Sequence, residues 1–136
     1  MSLKLTKAAL EARLVALANA LPTKWENVPF SPPADGAAWQ RCDFMPAVPD
    51  NPTLGDGFYR EHGIMQVTLS YPLGGGSGPA YTRAEALRVQ FKKGSSFASG
   101  AVTVHVDRAP AIGPGREVED RFVMPVSVTY RADIFA

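Results

Sequence analysis

The sequence predicts an α+β fold, in which a mostly antiparallel sheet of about four strands carries two helices on one face. Two segments space their apolar residues as amphipathic helices do, and three others alternate apolar and polar residues as half-buried strands do. The order along the chain is helix, strands, helix, strands. Alternation favours antiparallel pairing, because strands buried on both faces have continuous apolar runs. We expect residues 1–136 to form a single domain.

The two helices are predicted from helical spacing and from residues that start or stop a helix. The first runs from Thr6, a plausible N-cap, to about Ala20, and Pro22 prevents its continuation. The second runs from about Tyr81 to Lys93. The expected buried stripes are Leu10, Leu14, Leu17 and Leu21 on the first helix and Ala80, Ala84, Leu87 and Phe91 on the second.

Three strands are predicted from alternation of apolar and polar residues, at residues 63–71, 101–106 and 121–131. A fourth, less regular strand is expected at residues 37–45, where Trp39, Cys42 and Phe44 favour extended structure. The rest of residues 22–57 contains seven prolines and is expected to be irregular. Residues 108–117, RAPAIGPGRE, are expected to form a long hairpin loop.

Composition excludes several classes of function. The 14 Lys and Arg residues nearly balance the 13 Asp and Glu residues, so there is no bulk electrostatic reason to expect tight binding to nucleic acid or an anionic membrane. The apolar residues 14–21 are too short to span a bilayer and lack the layout of a signal peptide. Cys42 has no disulfide partner in the chain, which fits a reducing cytoplasm at least as well as an oxidising exterior.

The glycine-rich segment LGGGSGP, residues 73–79, lies between a strand and a helix, as phosphate-binding loops do. A Walker loop requires Gly-Lys-Ser/Thr, but here Gly78 precedes Pro79. Pro79 also occupies the position where an esterase nucleophile elbow around Ser77 requires glycine. The segment is therefore expected to be a flexible connector or a loop that contacts another subunit.

No metal or cofactor site is predicted, and the chain is not expected to be an enzyme. Neither His62 nor His105 has a ligand partner at helical spacing. The acidic group Glu117, Glu119 and Asp120 is interpreted as a solvated face or an edge guard in preference to a cation site. A hypothesis of a different class is a small-ligand binding domain or weak hydrolase, with Ser77 or Cys42 as the nucleophile.

Five segments in order carry a resemblance to a known family. They are the N-terminal leucine helix, FSPPADGAAW at residues 30–39, REHGIMQVTLSYP at residues 60–72 with its glycine loop, the helix ending in QFKKG, and RFVMPVSVTY at residues 121–130. In these segments the chain resembles the phage tail-terminator-like family, small proteins of tailed bacteriophages and prophages related in fold to the lambda tail terminator. The resemblance covers nearly the whole chain.

The resemblance implies a virion structural protein. Its subunits would form a ring, typically a hexamer, that caps the tail tube, stops tube polymerisation and presents a surface for head joining. The implied partners are other copies of the chain, the tail tube protein and a head-completion or connector protein, with DNA only as passing cargo and no membrane. The implied locations are the bacterial host cytoplasm during assembly and then the virion tail. The alternative is another head-tail connector or tail-completion protein.

Contacts with partners are expected at three loops, residues 46–57, 73–79 and 108–115, because loops can become ordered on docking. The candidate loop residues are Asp50, Asn51, Gly55, Gly74, Gly75, Gly76, Ser77, Gly113 and Arg116. A basic helix face is a further candidate, because helical spacing makes Arg88 and Lys92 neighbours.

Overall fold

The computed structural model describes residues 2–34, 36–51 and 57–135. Within these residues, eight strands form one curled mixed sheet shaped like half a barrel, accompanied by two helices. The prediction of an α+β fold with about four mostly antiparallel strands is therefore wrong, because the molecule is dominated by one larger sheet. The elements are α1 (Ser2–Val15), β1 (Thr23–Lys24), β2 (Trp39–Pro46), β3 (Phe58–Pro72), α2 (Gly78–Gln90), β4 (Ser96–Ser99), β5 (Val102–Val106), β6 (Ala111–Ile112), β7 (Arg116–Val118) and β8 (Arg121–Phe135).

Strands β3 and β8 form the centre of the sheet. They pair antiparallel over 15 residues each, from Phe58 opposite Phe135 to Pro72 opposite Arg121. At the usual rise per residue this ribbon is about 50 Å long. The sheet order is β1-β2-β3-β8-β5-β4, and β7, β6 and β5 pair in succession with the edge of β8 that faces away from β3. Strand β1 runs parallel to β2, which makes the sheet mixed.

Alternate residues of the central strands build the core, and both helices pack against that face. Met65, Val67 and Leu69 on β3 are fully buried, as their alternation predicted. The predicted stripe of α2 is confirmed, because all four of its residues are buried. The core cluster also includes residues of α1, β2, β5 and β8.

The first helix differs from its prediction at both ends. Thr6 is fully buried inside α1 and so is not its N-cap, because the helix already begins at Ser2. The helix ends at Val15, and Asn19 then adopts a left-handed φ of 57°, a conformation that asparagine tolerates in turns. Leu17 and Leu21 still pack against the core, but from the link that follows the helix.

The segment predicted as a long hairpin loop is attached to the sheet instead. Ala111 and Ile112 pair with β8, and the Gly113 N–H donates to the Pro125 carbonyl at 2.8 Å. Arg116 to Val118 then pair with the start of β8. Strands β6 and β7 contain two and three residues, too few for an alternating pattern to reveal them.

Candidate docking surfaces

Two of the three predicted loops meet at one end of the ribbon, which we call the loop end. Residues 73–77 leave β3 there, and residues 115–117 enter β7 beside them. They enclose an open cleft of about 390 Å³, lined among others by Leu73, Ser77, Arg116 and Phe122. The Gly113 N–H donates its hydrogen bond to Pro125 of β8. The structure therefore brings the glycine-rich loop and the Arg116 segment together.

Glycine is required at several positions of the loop end. Gly74 and Gly76 have φ values of 89° and 77°, which residues with a side chain rarely adopt. Gly75 has open space around it. A Cβ atom at Gly115 would collide with the Phe122 ring, so the segment before β7 lies directly on β8. The backbone shape of this end is thus fixed by the sequence, although the loop residues themselves are exposed.

The third predicted loop lies at the opposite end of the ribbon. Asp50 and Arg60 exchange two backbone hydrogen bonds, of 2.9 and 2.8 Å, which hold the Asp50–Asn51 segment beside the start of β3. Pro72 lies twelve positions after Arg60 on β3, a distance of about 40 Å along the strand. Gly55 lies outside the described residues. The predicted loop residues therefore fall on two separate surfaces.

Exposed apolar side chains mark this second surface, which we call the aromatic end. The rings of Phe58 and Phe135 lie 5.1 Å apart, and Phe135 is 77% exposed. Val48 is 83% exposed, and Met45 and Ile64 are exposed cross-strand neighbours. The predicted contact loop at residues 46–57 contains Val48, but sequence reasoning missed the rest of this patch, because Phe135 lies beyond the predicted end of the last strand.

Paired charges cover the outer face of the sheet near the aromatic end. Arg60 Nε donates to Asp133 Oδ1 at 2.6 Å, and Arg131 Nε donates to Asp107 Oδ2 at 2.8 Å. The hydrogen bond from Arg60 lowers the pKa of Asp133 below its usual value. Because these charges neutralise one another locally, this face offers no strong single-sign field to a partner.

The predicted basic helix face has two members in different environments. Arg88 Nε donates to the Pro110 carbonyl at 3.1 Å, so this side chain ties α2 to the segment between β5 and β6. Lys92 is exposed just after the helix and makes no ion pair with any residue in the described ranges. The structure thus gives Arg88 a role inside the molecule.

Replacement of Arg88 by alanine is expected to loosen the segment around Pro110. Loss of one hydrogen bond to a carbonyl should lower the free energy of unfolding by only about 1 kcal/mol. Amide hydrogen exchange at residues 108–113 should nevertheless become faster. Lys92→Ala is the matched control and should leave exchange unchanged. Equal exchange in both variants would show that Arg88 does not hold this segment.

Neither nucleophile of the hydrolase hypothesis has a histidine beside it within the described part of the chain. Ser77 lies at the loop end and makes no side-chain cap to α2. His62 and His105 both face Arg131 on neighbouring strands, toward the aromatic end. Cys42 is buried in the core, and burial raises the pKa of its thiol to about 12. No group of three potential metal ligands occurs among the described residues.

Cys42 is therefore expected to resist alkylation in the folded protein. A thiol pKa of about 12 leaves almost no thiolate at pH 8, and the thiolate is the reactive form. Mass spectrometry after iodoacetamide treatment should show an unmodified native chain and a fully modified chain in denaturant. Rapid modification of the native chain would contradict the buried position.

One comparison with known proteins names a type of protein. A family model described as "Phage tail terminator protein" matches residues 6–130. One solved structure is 32% identical in sequence and superposes with a TM-score of 0.79, covering 100% of this chain and 99% of that chain. No curated protein gives a significant match. No helix in the described parts of the chain has the length and apolar character needed to cross a membrane.

Proposed function

Because the chain belongs to the family of phage tail terminator proteins and is a phage tail protein, we propose that it forms a ring that caps the tail tube. The ring stops tube polymerisation and presents a surface for head joining. Six subunits are the expected number, DNA passes through as cargo, and assembly takes place in the host cytoplasm before the ring becomes part of the virion tail. The family match over residues 6–130 is the observation that carries this proposal.

The two ends of the β3–β8 ribbon support a role between two partners. A terminator ring must contact the tube on one face and a head-completion or connector protein on the other. The loop end and the aromatic end are separated by most of the ribbon, and both expose groups suited to docking. We propose that each end serves one of these two joints.

The ends are separable by substitution. Val48→Ser combined with Phe135→Ser removes exposed apolar surface from the aromatic end, and Leu73→Ser does the same at the loop end. Each change should leave the fold intact, because the altered side chains are exposed. We expect one variant to lose binding to tail tubes and the other to lose joining to heads, as measured by co-sedimentation. Unchanged binding in both variants would mean that the ends are not the joints.

The oligomer itself is tested by light scattering during size-exclusion chromatography and by electron microscopy, with and without tail tubes. We expect rings at high protein concentration or on tube ends, with a mass of six chains. The absence of both oligomers in solution and rings on tubes would contradict the proposal. Particles that join heads to tubes but leave tube length unregulated would favour the alternative, a connector or tail-completion protein.

A further inference from the structure

The most unusual polar group of the molecule is the guanidinium of Arg83. This residue lies on the buried side of α2 and is only 8% exposed. Its Nη1 donates to the Ala18 carbonyl at 2.9 Å. Its Nε and Nη2 atoms are buried and find no acceptor within residues 2–34, 36–51 and 57–135. A buried cation with two unused donors is costly and favours an anionic partner.

The surroundings of this guanidinium form a groove, which we call the Arg83 groove. It has a volume of about 560 Å³ and lies between α2 and the link that follows α1. Leu17 and Leu21 line one wall, and Tyr71 and Ala86 are among the residues of the others. The link residues near Ala18 are exposed and belong to neither helix nor strand, and docking on the buried donors requires this wall to move. The groove therefore suits a carboxylate carried next to an apolar side chain.

One segment of the same chain carries carboxylates next to an apolar side chain. Strand β7 and the turn that leads into β8, residues 116–120, are exposed throughout, and we call this segment the acidic tip. Its Glu117, Glu119 and Asp120 form no ion pair in the part of the chain that the structure describes. Val118 is 42% exposed between them.

The tip and the groove are separate surfaces of one chain. Both lie toward the loop end, because Tyr71 of the groove pairs with Phe122 of β8 and Phe122 pairs with Glu117 at the tip, but they are built from different elements. The tip does not fill the groove of its own chain in this structure. A closed ring requires a contact between two different surfaces of one chain, and tip and groove provide such a pair.

We propose that the acidic tip of one subunit docks in the Arg83 groove of the next. A carboxylate of Glu119 or Asp120 accepts hydrogen bonds from the free guanidinium donors, and Val118 contacts the leucines of the groove. This inference rests on the proposed ring, and it names the contact that closes it.

The first test uses a single copy and a peptide, so it does not depend on ring formation. A cyclised peptide with the sequence of residues 116–121 is titrated into the full ¹⁵N-labelled chain, and the Arg83 Nε–Hε resonance is followed by NMR. We expect a saturable shift at this resonance. The same peptide with Glu119→Lys and Asp120→Lys should bind at least about tenfold more weakly, because the charge pairing is reversed. Equal binding of both peptides, or shifts only at other surfaces, would overturn the inference.

The second test uses complementary variants of the full chain. One carries Glu119→Lys with Asp120→Lys and keeps its groove, and the other carries Arg83→Met and keeps its tip. Each alone should fail to form rings, on tubes or in solution, whereas their mixture should form a one-to-one pair by native mass spectrometry. Circular dichroism checks folding, and Arg83→Gln, which also removes the charge, replaces Arg83→Met if that variant unfolds.

The outcomes separate this inference from the proposed function. Normal rings from the tip variant would overturn the tip contact and leave the ring standing. Specific peptide binding at Arg83, without rings of the unmodified chain on tubes, would support the contact and contradict the ring.

Discussion

Phe91→Ala is expected to lower the free energy of unfolding by about 4 kcal/mol, because it removes a large buried ring and leaves a cavity. Phe91 is 0% exposed and caps the C-terminus of α2. Its ring meets that of Phe97 on β4 edge-on, with centroids 6.0 Å apart, and Arg13 of α1 lies over the Phe97 ring. Phe91 thus connects α2 with β4 at the edge of the sheet, and Arg13 brings α1 onto the same cluster through Phe97, so the neighbours cannot easily collapse into the gap.

Val89→Ala is the matched control for this change. Val89 lies on the same helix but is 71% exposed, so its truncation should change stability by less than about 0.5 kcal/mol. Urea unfolding followed by circular dichroism measures both variants. Similar unfolding midpoints for the two would show that Phe91 is not packed as described.

Gly63→Ala is expected to lower the free energy of unfolding by about 3 kcal/mol through overpacking. A Cβ atom at this position would lie 2.5 Å from the Met45 carbonyl oxygen, 2.7 Å from the Tyr130 hydroxyl and 2.9 Å from the Pro46 Cα. Two of these atoms belong to the backbone of β2, which is paired with β3 here. The strands must move apart to admit the methyl group, although alanine would otherwise suit a strand better than glycine.

Gly78→Ala provides the comparison, because a Cβ atom there meets no atom within 4 Å and the position opens α2. This variant should be as stable as the unmodified chain or slightly more stable, since alanine favours helices. Guanidinium unfolding curves distinguish the two glycines. A Gly63→Ala variant as stable as Gly78→Ala would contradict the close approach of β2 to β3.

The sequence predicted the long elements well because their patterns repeat several times. Alternation over β3 and the stripe of α2 correctly identified the buried residues of both. The extra length of β3 and β8 was not predictable, because it is stabilised by partners distant in sequence, such as Arg60 with Asp133. Strands β1, β4, β6 and β7 have two to four residues each and exist only through pairing with a neighbour.

The candidate surfaces were predictable only where one local segment forms them. Glycines 74–76 marked a loop, and the structure shows that it meets the segment of Arg116, which no local pattern indicates. The aromatic end and the Arg83 groove arise from residues that lie far apart in the chain. Arg83 in particular resembles a solvated helix residue in the sequence, and its burial follows from the link after α1 passing over it.

The most direct test of the proposed function is the length of tail tubes that polymerise in the presence of this protein. Purified tail tube protein from the same phage is allowed to grow from baseplates, the chain is added during growth, and tube lengths are measured by electron microscopy. Growth should stop at the length reached on addition, with one ring visible at the growing end of each tube. Tubes that keep elongating in an excess of the folded chain would contradict the role as a terminator.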